Sequence, residues 1–130
     1  MRKANPKWYT TVSVVSIFLF CLGLIVIRWM NIFNPNIIVV NKEINSHITN
    51  FTLSVLLCIL ICFSLLSAGM KYKSNLIVGT CIIIVNFVYE IFLPILNTAD
   101  IVDAIYGTIG VFISFIYLYF ISKDGFEEAA

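Results

Sequence analysis

The chain has 130 residues, 61% of them hydrophobic and 12% charged, with a net charge of +1. A soluble domain averages about 45–50% apolar and about 25% charged residues, and one this small keeps too much surface exposed to hide such an excess. Composition therefore excludes an ordinary soluble globule, and the charge, with no basic run, excludes a nucleic-acid binder. With a mean hydropathy of +1.02, the remaining solvent is the lipid bilayer.

A spanning helix needs about 20 mainly apolar residues. In chain order, four segments qualify: about Tyr9 to Ile27, Phe51 to Met70, Asn75 to Leu96, and Ile101 to Ile121. The first follows Arg2, Lys3 and Lys7, as a signal peptide would. Its apolar stretch exceeds the usual h-region of about 7–15 residues and no small-x-small cleavage site follows, so it reads as a retained helix. The predicted fold class is all-α, a single polytopic four-transmembrane-helix bundle over residues 1–130. No repeat, low-complexity stretch or linker divides it.

Lysine and arginine in the short loops set the expected orientation. With the N-terminus inside, Arg2, Lys3, Lys7, Lys71, Lys73 and Lys123 share one side, against Arg28 and Lys42 on the other. Six against two predicts cytoplasmic termini in a cell membrane. The outer loop between the first two helices, about Arg28 to Asn50, is long, and sequence leaves it open as a strand, a re-entrant piece or a lid. The second outer loop, about Asn97 to Asp100, is very short.

Each helix carries small or polar residues at helical spacing, which let helix backbones approach closely in lipid. They are Ser13, Ser16 and Gly23 in the first, and His47, Ser54, Cys58, Cys62 and Gly69 around the second. The third has Gly79, Asn86, Glu90 and Asn97, and the fourth Asp100, Asp103, Gly107, Gly110 and Ser114. All four cysteines, Cys21, Cys58, Cys62 and Cys81, lie inside apolar runs. That placement argues against a disulfide framework and for packing, since a free thiol behaves as a small hydrophobe.

Glu90 lies six residues before Leu96, roughly 9 Å below the expected outer end of its helix. An ionised carboxylate at mid-membrane costs about 2.5–3.5 kcal/mol on the insertion scale, so Glu90 is expected to face the bundle and to pair or bind something. Asp100 and Asp103 open the fourth helix, where carboxylates favour the positive end of the helix dipole. Thr98 or Asn97 is expected as its N-cap. His47 and Lys42 approach the same end from the outer loop. Glu90, Asp103, Asp100, His47 and Lys42 are the candidate ligand-binding residues, with Arg28 and Lys42 the outer cations available to pair with the acids. A histidine with two or three carboxylates could hold a divalent ion. The residues are scattered over three segments, and neither a metal nor a cofactor is assigned. No Walker loop, dinucleotide fingerprint, zinc-protease motif or nucleophile elbow is present, and nothing suggests a catalytic residue.

Three pieces of the segment from Asn41 to Gly110 carry a family pattern. They are Asn41-Lys42-Glu43-Ile44-Asn45-Ser46-His47 before a helix, Tyr89-Glu90-Ile91-Phe92-Leu93-Pro94 near the end of the next, and Asp100-Ile101-Val102-Asp103 leading into Gly107 and Gly110. This resembles the VanZ-like membrane protein family, with Asn41 where the family has an acid and Leu93 where Gln is common. The resemblance implies a bacterial cell-envelope role linked to glycopeptide (teicoplanin) tolerance. An outward-facing acidic pocket would then bind an envelope ligand such as a lipid headgroup or cell-wall precursor. Two other classes stay open from the residues: a small proton-coupled transporter, and a structural, immunity or assembly protein that binds a larger membrane partner or a second copy of itself.

Overall fold

The computed structural model describes residues 4–92 and 100–128. Four helices run in sequence: α1 (Trp8–Phe33), α2 (Lys42–Ser67), α3 (Tyr72–Phe92) and α4 (Ile101–Asp124). A strand at each end, β1 (Ala4–Pro6) and β2 (Phe126–Glu128), pairs antiparallel with the other. All four helices are long and apolar enough to cross a membrane. The protein is an all-α, multi-pass membrane bundle, with many of its large apolar side chains exposed on its outer surface, as lipid contact requires.

Hydropathy marks where a helix lies in lipid, and the helices themselves extend further. α1 continues six residues past Ile27 and stops at Phe33. There Pro35 pushes Asn34 out of the helical region, and the Asn34 N–H closes the last turn on the Met30 carbonyl. α2 begins at Lys42, nine residues before Phe51, because the Asn41 side chain caps it by accepting from the Ile44 N–H at 2.8 Å. An asparagine cap satisfies one of the otherwise unpaired first-turn donors, and Glu43 in that turn complements the helix dipole. The long outer loop thus shrinks to residues 34–41, a turn and a bend with neither helix nor strand. Within it Val40 holds a φ of 57°, an uncommon conformation for a β-branched residue.

α2 ends at Ser67, before the expected Met70, because Gly69 takes a φ of 79°. The Gly69 and Met70 N–H groups fold back onto the Leu66 and Leu65 carbonyls, which terminates the helix with a left-handed glycine. The expected end of the third helix, residues 93–96, lies outside the described residues.

The core sits between α2, α3 and α4. Cys58, Cys62, Val111 and Leu118 are fully buried there, and α2 makes its most extensive contact with α4. Glycines permit that approach. A Cβ on Gly110 would run into the Phe51 carbonyl oxygen of α2, and one on Gly107 would overlap the Asn86 amide and the Ser54 hydroxyl. The Asn86 amide donates across the bundle to Ser54 Oγ at 2.9 Å, and the Tyr72 hydroxyl donates to the Phe115 carbonyl. Three cysteines pack inside and Cys81 faces outward, all as free thiols.

α1 differs from the expectation. Ser16 and Gly23 face outward, with nothing within 4 Å of where a Gly23 Cβ would lie. Its buried residues are Thr10, Val14 and Cys21, of which Val14 and Cys21 pack on Val55 and Ile59 of α2. The first turns of α1 are instead fixed by hydrogen bonds. Thr10 Oγ1 donates to the Gly125 carbonyl at 2.9 Å, Tyr9 donates to the Asp124 carbonyl, and Ser13 pairs with the Tyr117 hydroxyl.

Candidate functional site

The end of the bundle opposite the strands gathers polar side chains from three helices. His47 lies in the second turn of α2, Asp100 is the N-cap of α4, Asp103 is in the first turn of α4, and Glu90 is in the last described turn of α3. α2 reaches this end only because it starts at Lys42. With a start at Phe51, His47 would lie in a loop with no fixed direction.

His47 Nδ1 stands 2.8 Å from Asp103 Oδ1 and 3.9 Å from Asp100 Oδ2. Asp103 and Glu90 are each only 7% exposed. Glu90 is buried in the last described turn of α3, at the same end of the bundle. Asp100 serves twice, its Oδ1 accepting from the Val102 N–H at 2.9 Å while Oδ2 turns toward His47. The N-cap is therefore Asp100, where Thr98 or Asn97 was expected. Those two residues lie outside the described part of the chain. Asp103 points inward because it shares a face with Gly107, and the close α2–α4 contact there brings it against His47.

Tyr106 completes the cluster. Its ring centroid lies 5.1 Å from that of His47, at 33° between planes. Sequence reasoning did not single it out, although it follows Asp103 by three residues and so shares its helix face. Side chains on one α4 face thus orient the imidazole, Asp103 through a hydrogen bond and Tyr106 through ring contact.

Lys42 does not join this group. It precedes His47 by five residues, which at 3.6 residues per turn puts the two about 140° apart around α2. Lys42 instead faces α1, where it lines a separate cavity with Arg28, Asn31, Asn45 and Ser46. Arg28 and Lys42, the cations available to pair with these acids, make no ion pair with them among the described residues. Among the described residues, the only ion-pair contacts of Asp100 and Asp103 are with His47.

The geometry fits capture of a positive charge. Two carboxylates meet one imidazole and a third carboxyl is buried at the same end, with no lysine or arginine paired to the aspartates among the described residues. Buried charges ordinarily need a partner, so the cluster favours a cationic one. One ligand atom from each of His47, Asp100 and Asp103 lies within 4.8 Å of the others, a spacing that one divalent ion could draw together. Imidazole with two carboxylates suits zinc, manganese or iron. No family model, curated protein or solved structure matches this chain.

Proposed function

We propose that the chain is a VanZ-like protein of the bacterial cell membrane whose acidic pocket binds the cationic group of an envelope ligand. In this reading both termini are cytoplasmic and the pocket faces outward. The six-to-two distribution of lysine and arginine supports that orientation. The ligand is a lipid headgroup or cell-wall precursor bearing an amine, and its capture is linked to teicoplanin tolerance. The observation that carries the reading is the convergence of His47, Asp100 and Asp103, at the end of the bundle where Glu90 is buried, with no lysine or arginine paired to the two aspartates among the described residues. Asp103 and Glu90 would supply the negative charge, His47 and Tyr106 the wall, and Asp100 the mouth.

A divalent ion is the second reading, favoured by the 4.8 Å clustering of three ligand atoms. One set of variants addresses both. Asp103→Asn and Glu90→Gln keep shape while removing charge. Each is expected to weaken binding of ethanolamine, or of Mn²⁺, to the purified protein about tenfold, and to reduce protection against teicoplanin in cells that depend on the gene. Unchanged binding of both probes, together with full protection, would sink the pocket. Loss of Mn²⁺ binding alone would select the metal reading.

A further inference from the structure

A second polar site lies on the other side of α2, at the same end of the bundle, and it has the opposite charge. Its cavity, about 290 Å³, lies between the last turns of α1 and the first turns of α2. That volume is at the lower edge of the roughly 300–1,000 Å³ found for small-ligand sites. Arg28 and Lys42 line it, and no acid does. Glu43, the nearest acid in sequence, is exposed and does not line the cavity.

The hydrogen-bond inventory decides which ligand suits the cavity. Asn31 Oδ1 already accepts from Arg28 Nη1 at 3.3 Å and from Asn45 Nδ2 at 3.2 Å. Asn45 Oδ1 accepts from the Val39 N–H at 3.1 Å, and the Ser46 hydroxyl donates to the Glu43 carbonyl. The side-chain acceptors of both asparagines are thus engaged. Unengaged donors remain: most of the five N–H groups of the Arg28 guanidinium and the three of the Lys42 ammonium. The positive end of the α2 dipole adds to them. A cavity whose unengaged groups are mainly charged donors suits an oxyanion. Arginine's planar fork matches a phosphate edge in two parallel hydrogen bonds.

We propose that the cavity between α1 and α2 is a binding site for a phosphate-type oxyanion, held by Arg28 and Lys42 and framed by Asn31 and Asn45. The proposal does not depend on the acidic pocket, which uses other residues on another face of α2. Arg28 lies five residues before the end of α1, about 7.5 Å along the axis, so its guanidinium stands near the end of a spanning helix, where lipid phosphates are to be met. A free phosphate group offers the same chemistry, and two experimental arms separate these sources.

In the first arm, native mass spectrometry counts phosphatidylglycerol retained by protein released from dodecyl maltoside micelles to which that lipid was added. In the second, ³¹P line broadening reports inorganic phosphate bound to the same protein. Wild type should bind in at least one arm, and Arg28→Gln/Lys42→Gln should lose about tenfold. Lys42→Glu, at an exposed position where packing is not at risk, should lose at least fivefold. Lys71→Gln/Lys73→Gln, which removes the same charge from the opposite end, should change either signal less than twofold. Retention in the lipid arm alone identifies a headgroup, and broadening by inorganic phosphate identifies a site open to free anions. Absence of binding in both arms would overturn the proposal, as would unchanged binding in Lys42→Glu or an equal loss in the Lys71/Lys73 variant.

Discussion

α4 and α1 both lie against α2, but they are held there by different means. α4 presents Gly107 and Gly110, so its backbone comes close enough that an added Cβ on Gly110 would strike the Phe51 carbonyl. α1 is anchored at its first turns by Thr10, Tyr9 and Ser13. Further along, an apolar groove of about 200 Å³ separates it from α4, with Phe20 on one wall and Ile113 on the other. The spanning window of α1 is the most apolar of the four, yet only 17% of it is buried, against 33% for α4. In lipid, apolarity carries a helix into the membrane but does not press it against its neighbours, whereas small residues and interhelical hydrogen bonds do. That looseness leaves room for the Arg28 cavity at the end opposite the strands, while the tight seam fixes the His47–Asp103 contact.

The contrast breaks most sharply at Gly110. Gly110→Leu should destabilise the protein by about 3 kcal/mol or more, since the obstructing atom is backbone and cannot swing aside. Unfolding in mixed micelles followed by circular dichroism would show it, and a wild-type transition would mean that the seam is looser than described. Thr10→Ala probes the anchor of α1. Its hydroxyl contributes one buried hydrogen bond, so the expected loss is about 1 kcal/mol, read as a widened distance distribution between spin labels at residues 5 and 127. The Gly125 carbonyl keeps a second donor, the Lys7 N–H at 2.9 Å, which limits the damage. The smallest effect belongs to Gly23. A Cβ at Gly23 would meet nothing within 4 Å, and Gly23→Leu improves helix propensity by up to about 1 kcal/mol, so stability should stay level or rise slightly. A marked loss would show that α1 packs on something through that face.

Much of this was legible in the sequence, for reasons that can be stated residue by residue. Four apolar runs gave the four helices, because lipid demands length and apolarity and little else. The end where Glu90, Asp100, Asp103 and His47 meet followed from topology, which places the starts of α2 and α4 beside the end of α3. Helix ends were harder to read, since hydropathy is silent about turns standing in the interface. The Asn41 cap and Glu43 did mark the true start of α2, but a search for apolar residues passes over both. Lys42 was misplaced for the same cause. Read as loop, its direction is free; read as the first turn of a helix, it must face away from His47. The small residues of α1 misled because Ser16 and Gly23 resemble packing positions, and a single helix cannot say which of its faces has a neighbour. The terminal strands are three residues each, too short for any alternation to stand out.

The pairing of those strands constrains how the protein is made. Ala4 meets Glu128 and Pro6 meets Phe126, so the two ends of the described chain are hydrogen-bonded in one sheet and must emerge on the same side of the membrane. That pairing alone demands an even number of crossings, a parity check independent of any hydropathy count. Residues 4–6 must also wait for their partners through the synthesis of all four helices. The ring formed by β1, the bundle and β2 can close only after the last helix has been threaded, which makes its closure a sign that insertion is complete.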